Sequence, residues 1–306
     1  MRTLAAVGGV CLLAVALVVV ALTLRGPGKA GAGALAATPG PSPLTTAASG
    51  NPDAPGGSGG AGGSQADAFG TTGAYLRGRA GTVTAAVYDM RTGQTWTLGG
   101  GRPQAEASVV KLDILETLLA RGGGSVPAGD QRLAKAMIED SDNDAATSLW
   151  DAAGGASGIG RYNSAAGLAH TKPSSCVECA GFAWPGWGLS TTTPADQITL
   201  LRQLVGSGTL LSSGARSYAL SLLENVTPDQ RWGVSAGVPS GVTVALKNGW
   251  LPLNAANTDW QVNSVGWISG DGRDYLLAVL TTADPSEQYG ITTINALSTR
   301  VWSALR

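Results

Sequence analysis

Ser108 and Lys111 open an apolar stretch that runs to about Ala120. On a helix, residues three apart lie on one face, so the serine hydroxyl and the lysine amine become neighbours. A hydroxyl beside a base is an activated nucleophile of the kind used in acyl transfer. The spacing alone is weak evidence, because a surface lysine near a serine that caps a helix has the same pattern.

Two further motifs add weight to this pair. Ser-Asp-Asn at 141–143 follows the amphipathic stretch 133–138, and Lys-Asn-Gly at 247–249 ends a strand pattern. Acyl transfer to serine needs a deprotonated nucleophile, a proton route to the leaving nitrogen and donors for the oxyanion. The three motifs together contain groups for each of these tasks.

The motifs resemble the S-x-x-K, S-D-N and K-T-G elements of class A β-lactamases and related penicillin-recognising enzymes. The resemblance covers the whole folded domain, and Thr-Thr-Thr-Pro at 191–194 starts a helix as the family's segment after its omega loop does. It implies a β-lactamase-like serine hydrolase that forms an acyl-enzyme on Ser108. The expected substrate is a β-lactam or a peptidoglycan stem peptide, which share an amide and a carboxylate.

Proton transfer requires an unusual lysine. A free lysine has a pKa of about 10.4, so Lys111 needs burial and a nearby cation, such as Lys247, to be neutral at pH 7. Ser141 is then expected to relay the proton to the leaving group.

The resemblance also implies the substrate contacts. Asn143 would hold the substrate's side-chain amide, and Lys247 with Asn248 would hold its carboxylate. Gly249 and Trp250 continue this binding strand, and the backbone N–H of Trp250 would form the oxyanion hole with that of Ser108. Asp142, between two of these residues, is expected to be structural.

Three departures from the family pattern change the expected site. The interval between Lys111 and Ser141 is much shorter than in class A enzymes, which predicts a more open cleft. Asn248 replaces the usual Thr or Ser, and no arginine lies on the strand pattern 259–268. Binding of a substrate carboxylate should therefore be weaker or altered.

The third departure concerns water activation. Class A enzymes release the acyl group with an omega-loop Glu that is helped by an Asn, and no Glu-x-x-x-Asn pattern occurs here. Glu178 is the acid of the loop from about 169 to 190, and it is either a deacylation base or a solvated loop carboxylate. Cys176 and Cys179 flank it, and in an exported domain we expect them to form a short-loop disulfide. Slow deacylation is the resulting expectation.

A rival nucleophile motif, Gly-x-Ser-x-Gly, occurs at 233–237. It fits the form of an α/β-hydrolase nucleophile elbow, but a glycine- and proline-containing segment follows it where that fold needs a helix. The histidine of the chain, His170, precedes the motif, whereas the triad histidine of that fold follows it. The rival is disfavoured, and His170 is expected to be an ordinary loop residue.

Composition excludes several other functions. With a net charge of −1 and no long runs of like charge, the sequence does not indicate a positively charged surface for binding nucleic acid. One histidine and three cysteines are too few for a usual zinc site, so we expect neither a metal nor a cofactor. A monomer is expected.

The N-terminal part predicts export and anchoring. Residues 4–24 carry no charge and would span about 30 Å as a helix, enough to cross a bilayer. We expect a membrane anchor over 1–25 and an extracytoplasmic location, with secretion after signal cleavage as the alternative. Residues 26–68 are rich in Gly, Ala, Pro, Ser and Thr and predict a flexible linker, which leaves a hydrolase domain at 69–306.

The elements that must position these residues predict an α+β fold. Strand patterns occur at 81–89 and 95–98 near the start of the domain, and at 242–247, 259–268 and 275–281 near its end. A mostly helical block lies between them and a helix ends the chain. We expect strands from both ends to form one antiparallel sheet between helical layers. The alternative functions on this fold are a D-alanyl-D-alanine peptidase or a peptidoglycan-binding protein without turnover.

Overall fold

A computed structural model describes residues 68–70, 72–179 and 182–305. The predicted membrane segment and all but the last residue of the predicted linker lie outside this range. The strands are β1 (Thr82–Asp89), β2 (Thr95–Leu98), β3 (Gln104–Ala105), β4 (Thr191–Thr192), β5 (Thr243–Pro252), β6 (Trp260–Gly270) and β7 (Arg273–Asp284). The α-helices are α1 (Thr72–Leu76), α2 (Val110–Arg121), α3 (Gln131–Glu139), α4 (Asn143–Ala152), α5 (Gly155–Ala166), α6 (Pro194–Val205), α7 (Ser213–Glu224) and α8 (Glu287–Ala304).

Five strands form one antiparallel sheet in the order β2-β1-β7-β6-β5. The N-terminal hairpin joins the C-terminal strands through β1 and β7, where Ala86 lies opposite Ala278. β6 and β7 are joined by a tight turn at Asp271 and Gly272, both with positive φ. The predicted sheet built from both ends of the domain is confirmed.

Side chains alternate between the two faces of the sheet along each strand, so both faces carry apolar side chains, and helices cover each of them. On β1, Ala86 packs with the helical block α2–α7, whereas Ala85 and Val87 pack with α8. Two hydrophobic cores therefore lie on opposite faces of the sheet, which gives the expected three-layer α/β/α arrangement.

α2 runs through the centre of the helical layer. Its residues from Val110 to Leu119 are all buried, as expected of a helix that is surrounded by others. Lys111 is therefore carried into the interior by a helix that the apolar stretch itself specifies.

A short two-stranded ladder closes the loop 167–190. β3 pairs with β4, and Lys172 makes a bridge to Thr191 at the base of the loop. The Thr171 and Thr192 hydroxyls add a hydrogen bond of 2.8 Å there. The loop is thus fixed at its ends beside the start of α2. Within the described ranges, no helix combines the length and apolar character needed to cross a membrane.

Candidate active site

Ser108 lies in a 3-10 turn at Ala107–Val109 that leads into α2. The regular helix therefore starts at Val110, two residues later than the sequence pattern predicts. Ala107 has a φ of 50°, a left-handed conformation that a side chain rarely adopts. The Asn263 side-chain amide donates to the Ala105 and Glu106 carbonyls at 2.8 Å each, which stabilises this turn from β6.

Gly249 brings β5 against the backbone of the serine turn. A Cβ at this position would lie 2.6 Å from the Ser108 nitrogen and 2.7 Å from the Val109 nitrogen. No other residue allows this approach without a shift of the backbone. Trp250, the next residue, consequently lies beside Ser108 on the wall of a shared cavity of about 150 Å³. The predicted Lys-Asn-Gly motif lies within β5, which continues to Pro252.

Two buried lysines meet at the hydroxyl of Ser141. Lys111 Nζ donates to Ser141 Oγ at 3.1 Å, to the Ser141 carbonyl at 2.6 Å and to Asn143 Oδ1 at 2.8 Å. Lys247 Nζ donates to the same hydroxyl at 2.9 Å and to the Asn248 carbonyl at 2.9 Å. Ser141 has a φ of 57°, so the turn between α3 and α4 is held in a strained conformation at this point. The structure thus brings Lys111, Ser141, Asn143 and Lys247 together.

Burial changes the chemistry of both lysines. Desolvation, helped by the nearby charge of Lys247, lowers the pKa of Lys111 to about 6, against a smaller opposing effect of Asp142. Desolvation lowers the pKa of Lys247 to about 7. Both amines can therefore exchange protons near neutral pH, as the sequence argument requires for a lysine base.

Asp142 has a structural role at the start of α4. Its side chain accepts a hydrogen bond from the Ala145 N–H at 2.7 Å, which makes it the N-cap of the helix. The cap fixes the helix start at Asn143, whose side chain then meets Lys111. The expectation that Asp142 is structural agrees with this position.

Asn248 is buried and its side chain is directed to the protein rather than to the cavity. Its Nδ2 donates to the Gln230 carbonyl at 2.7 Å and to the Trp232 carbonyl at 3.1 Å. These bonds fix the segment 230–232 beside β5, and Asn248 does not line the cavity. The predicted side-chain contact between Asn248 and a substrate carboxylate is therefore not supported by its position.

The loop 167–190 presents an aromatic ring to the lysines. Trp187 is buried, and Lys111 Nζ lies 5.1 Å from its ring centroid. The Trp187 indole N–H donates to Thr147 Oγ1 at 3.0 Å, which fixes the ring against α4. No carboxylate of the described part of this loop lines the cavity of Ser108.

Glu178 lies elsewhere on the loop. It is exposed and lines a neighbouring surface cavity with Asp144 and Thr147. The structure joins Cys176 to Cys179 as a disulfide, with Cα atoms 5.6 Å apart. The disulfide packs on Gly186, which leaves no room for a side chain there and supports the turn that carries Trp187.

The rival nucleophile and His170 are placed apart from this site. Ser235 lies in a 3-10 turn at Gly233–Ser235, where the Val234 N–H donates to Ser264 Oγ at 2.9 Å. No strand-to-helix elbow is formed there. His170 is an exposed loop residue whose backbone N–H donates to Asp196 Oδ2 at 2.7 Å.

Buried acids behind the serine turn were not singled out from the sequence. Gln197 Nε2 donates to Glu106 Oε1 at 3.0 Å, and the Tyr162 hydroxyl donates to Glu116 Oε2 at 2.7 Å. Burial raises the pKa of Glu106 and of Glu116 well above the ordinary value, and raises that of Asp113 to about 7. Asp113 and Glu116, acids on an otherwise apolar stretch, were the available signal in the sequence.

The aromatic walls of the cavity were not predicted from the sequence either. Trp184, Trp187 and Trp250 all line the cavity, together with the carboxylate-bearing residue Asp140. The Trp-Pro-Gly-Trp run at 184–187 was the available signal, because tryptophans are unusual in a loop so rich in small residues.

Comparisons with known proteins agree with this fold. A model described as the β-lactamase enzyme family matches residues 129–305. LppW, a proposed lipoprotein of Mycobacterium tuberculosis, is 30% identical over 208 residues, which cover 65% of this chain and 62% of LppW. The chain thus spans less than two thirds of the length of that relative. The protein of the same name from Mycobacterium bovis matches equally.

Solved structures of class A β-lactamases share the architecture. The class A enzyme from Mycobacterium abscessus has a TM-score of 0.64 at 24% identity and covers 78% of this chain and 98% of its own. The TLA-1 extended-spectrum enzyme has a TM-score of 0.68 at 18% identity, and the match covers 78% of this chain and 98% of that enzyme. An ancestral class A enzyme has a TM-score of 0.65 at 23% identity, with 78% and 99% covered. These likenesses show the fold, and the resemblance expected from the motifs is confirmed.

Proposed function

Because this chain belongs to the β-lactamase enzyme family, we propose that it is a serine acyl-transfer hydrolase of the β-lactamase and penicillin-binding type. β-Lactams acylate Ser108, and the acyl-enzyme is released slowly. The observation that carries the proposal is the Ser141 hydroxyl, which is bonded to both Lys111 and Lys247 and belongs to a residue that lines the same cavity as Ser108. In this arrangement a base and a proton donor both lie next to the position that the leaving nitrogen of a substrate would occupy.

Acylation follows from these groups. Neutral Lys111 takes the proton of Ser108, whose Oγ forms a bond to the carbonyl carbon of the substrate. The carbon–nitrogen bond then breaks, and the leaving nitrogen receives a proton through Ser141. The backbone N–H groups of Ser108 and Trp250 stabilise the oxyanion, which typically contributes about 100- to 1,000-fold per donor. Asn143 binds the substrate amide from the opposite wall.

Slow deacylation is supported by the loop that faces Lys111. Its described residues place an indole, and not a carboxylate, against this lysine. A general base contributes on the order of 100- to 10,000-fold, so an acyl-enzyme without one persists. The same observation favours the second candidate, a D-alanyl-D-alanine peptidase-like or non-turnover peptidoglycan-binding protein.

Labelling of the full chain with a fluorescent penicillin tests the proposal. We expect one label per chain at Ser108, found by intact mass and peptide mapping, and no label in Ser108→Ala. A chromogenic cephalosporin then separates the candidates, because a lactamase turns over many times and a penicillin-binding protein reacts once. Labelling at Ser235, or no labelling of the folded parent, would refute the acyl-transfer proposal.

The domain organisation remains a proposal. An anchor at 1–25, a linker at 26–68 and a hydrolase domain at 69–306 would place the site outside the cytoplasm. The lipoprotein name of LppW supports attachment to a membrane. Fractionation of cells that express the full chain should recover it with membranes and accessible to external protease. Recovery from the medium with a new N-terminus would instead indicate secretion after cleavage.

A further inference from the structure

Two buried acids lie directly behind the turn that carries Ser108. Glu106 is 1% exposed, Asp113 is fully buried, and their carboxyls are within hydrogen-bonding reach of each other. Glu106 Oε2 receives no hydrogen bond from the other N–H and O–H groups of the described residues. Two ionised carboxylates are both acceptors, so a hydrogen bond between them requires a proton.

The groups around this pair favour protonation. Asp196 of α6 adds a negative charge that acts on both carboxyls, and Glu116 and Tyr162 interact with Asp113 from α2 and α5. Burial has the largest effect, and it raises the pKa of Glu106 well above its ordinary value and that of Asp113 to about 7. The pair therefore keeps at least one proton at neutral pH.

Glu106 connects the serine turn to the elements around it. Its backbone N–H donates to the Ser190 carbonyl at 2.7 Å, at the end of the loop 167–190. Its side chain accepts from Gln197 Nε2 of α6 at 3.0 Å and meets Asp113 in the first turn of α2. The carboxyl pair thus links residues on either side of Ser108.

Ala107 lies between Glu106 and Ser108 and depends on such a link. Its φ of 50° is a strained conformation, which persists only where the surrounding structure over-determines it. Without the link, the turn can relax and move the Ser108 hydroxyl. A displacement of about 1 Å at a reacting atom costs on the order of 100-fold in rate.

We propose that Glu106 and Asp113 are positioning residues for Ser108, and that a proton held between their carboxyls ties the serine turn to α2. The proposal rests on the proposed function and adds the contact that fixes its nucleophile. Neither residue lines the Ser108 cavity, so the pair acts through the turn and does not touch the substrate.

Variants of matched shape separate the hydrogen bond from packing. Asp113→Asn can donate an amide N–H to Glu106 in place of the proton, whereas Asp113→Leu has a similar size and cannot. With a fluorescent penicillin at pH 7, Asp113→Leu should lower the first-order acylation rate constant about 10- to 100-fold and leave the half-saturating concentration unchanged. Asp113→Asn should react at close to the parent rate. Glu106→Met and Glu106→Gln form a second pair with the same expectations.

Glu116 provides the matched control. It is a fully buried acid of the same helix, but its Oε2 accepts from the Tyr162 hydroxyl at 2.7 Å and not from the serine turn. Glu116→Met should therefore leave the acylation rate constant unchanged. Equal losses in Asp113→Leu and Asp113→Asn, an equal loss in Glu116→Met, or a parent-like rate constant in folded Asp113→Leu would overturn the proposal.

Hydrogen exchange of the full chain separates this proposal from the acylation proposal. Peptides that contain the Val109 N–H, which donates to the Glu106 carbonyl at 3.2 Å, report opening of the turn without any substrate. Faster exchange there in Asp113→Leu, but not in Asp113→Asn or Glu116→Met, supports the link even if no penicillin labels Ser108. Equal exchange in the parent and Asp113→Leu would refute the link even if Ser108 is acylated.

The pH dependence of the same exchange tests the proton itself. Protection of the turn, corrected for intrinsic exchange, should fall between pH 7 and pH 10 in the parent but not in Asp113→Asn, whose amide has no proton to lose in this range. This comparison needs only these two proteins, so it decides the matter even if Asp113→Leu does not fold. Equal pH dependence in both would refute the shared proton.

Discussion

The pH dependence of acylation gives a sharp test of the lysine pair. With a pKa of about 6, Lys111 is roughly 10% neutral at pH 5 and roughly 90% neutral at pH 7. If neutral Lys111 activates Ser108, the second-order rate constant of acylation should rise about tenfold between these values and then level off. A lysine with an ordinary pKa would instead give a rate that still rises about tenfold per pH unit from 7 to 9.

The assay is stopped-flow reaction of the full chain with a fluorescent penicillin between pH 4.5 and 9. Substitution of Lys247 tests the cause of the low pKa, since its charge is the second contribution after burial. In Lys247→Gln, Lys111 loses a neighbouring cation, so its pKa rises and the midpoint of the profile should move to higher pH. Interacting groups titrate as a pair, so the midpoint belongs to the site and not to one amine alone.

Two results would refute this reasoning. A parent rate that keeps rising tenfold per pH unit above pH 7 would mean that Lys111 is charged in the free enzyme. A midpoint near 6 that does not move in a folded Lys247→Gln variant would mean that Lys247 does not influence the base. Circular dichroism of each variant across the same pH range serves as the folding control.

Four further predictions follow from named positions. Glu178→Gln should leave the deacylation rate unchanged, because the side chain lies outside the nucleophile's cavity; a fall on the order of 100-fold, with unchanged acylation, would show that Glu178 is the base after all. Gly249→Ala should destabilise the protein by about 1–3 kcal/mol in urea unfolding and slow acylation, because the new Cβ would lie 2.6 Å from the nucleophile's backbone nitrogen. Titration of the non-reduced, denatured full chain should find one thiol, since Cys176 and Cys179 form a disulfide; three thiols would contradict it. Burial raises the pKa of Asp113 from 3.8 to about 7, so the folded state keeps this carboxyl protonated where the unfolded state would ionise it. Its contribution to the free energy of unfolding is therefore fully present below pH 3.8 and is lost as the pH rises to 7. This loss should be smaller in Asp113→Asn.

Local patterns in the sequence predicted the parts of the protein that depend on near neighbours. The strand at 95–98 was predicted at its observed position, because period-two alternation is a local signal. The helix that starts at Pro194 was expected from the resemblance of 191–194 to the family's segment after the omega loop. The pairing of chain ends in one sheet was also predictable, since a hydrophobic hairpin needs further strands to cover its edge. The class A resemblance came from the order of three short motifs.

Long-range packing decided the features that the motifs left open. Ser141 and Lys247 are 106 residues apart, and the packing of the turn between α3 and α4 against β5 brings them into contact. Asn248 was expected to bind the substrate carboxylate, whereas in the structure its side-chain Nδ2 donates to the Gln230 and Trp232 carbonyls inside the protein.

The sequence by itself determined which groups are available for chemistry: a serine and a lysine one helical turn apart, a second serine and a second lysine. Only the tertiary structure decided their protonation and surroundings. A lysine pKa depends on burial and on nearby charges. The apolar residues around Lys111 favour a buried helix, but the charge of Lys247 arrives from β5. The same holds for the cavity, whose tryptophans and single carboxylate come from the loop 182–188, β5 and the end of α3. These three segments come together at the turn that carries Ser108. Which segments pack there depends on the whole chain and not on the spacing of neighbouring residues.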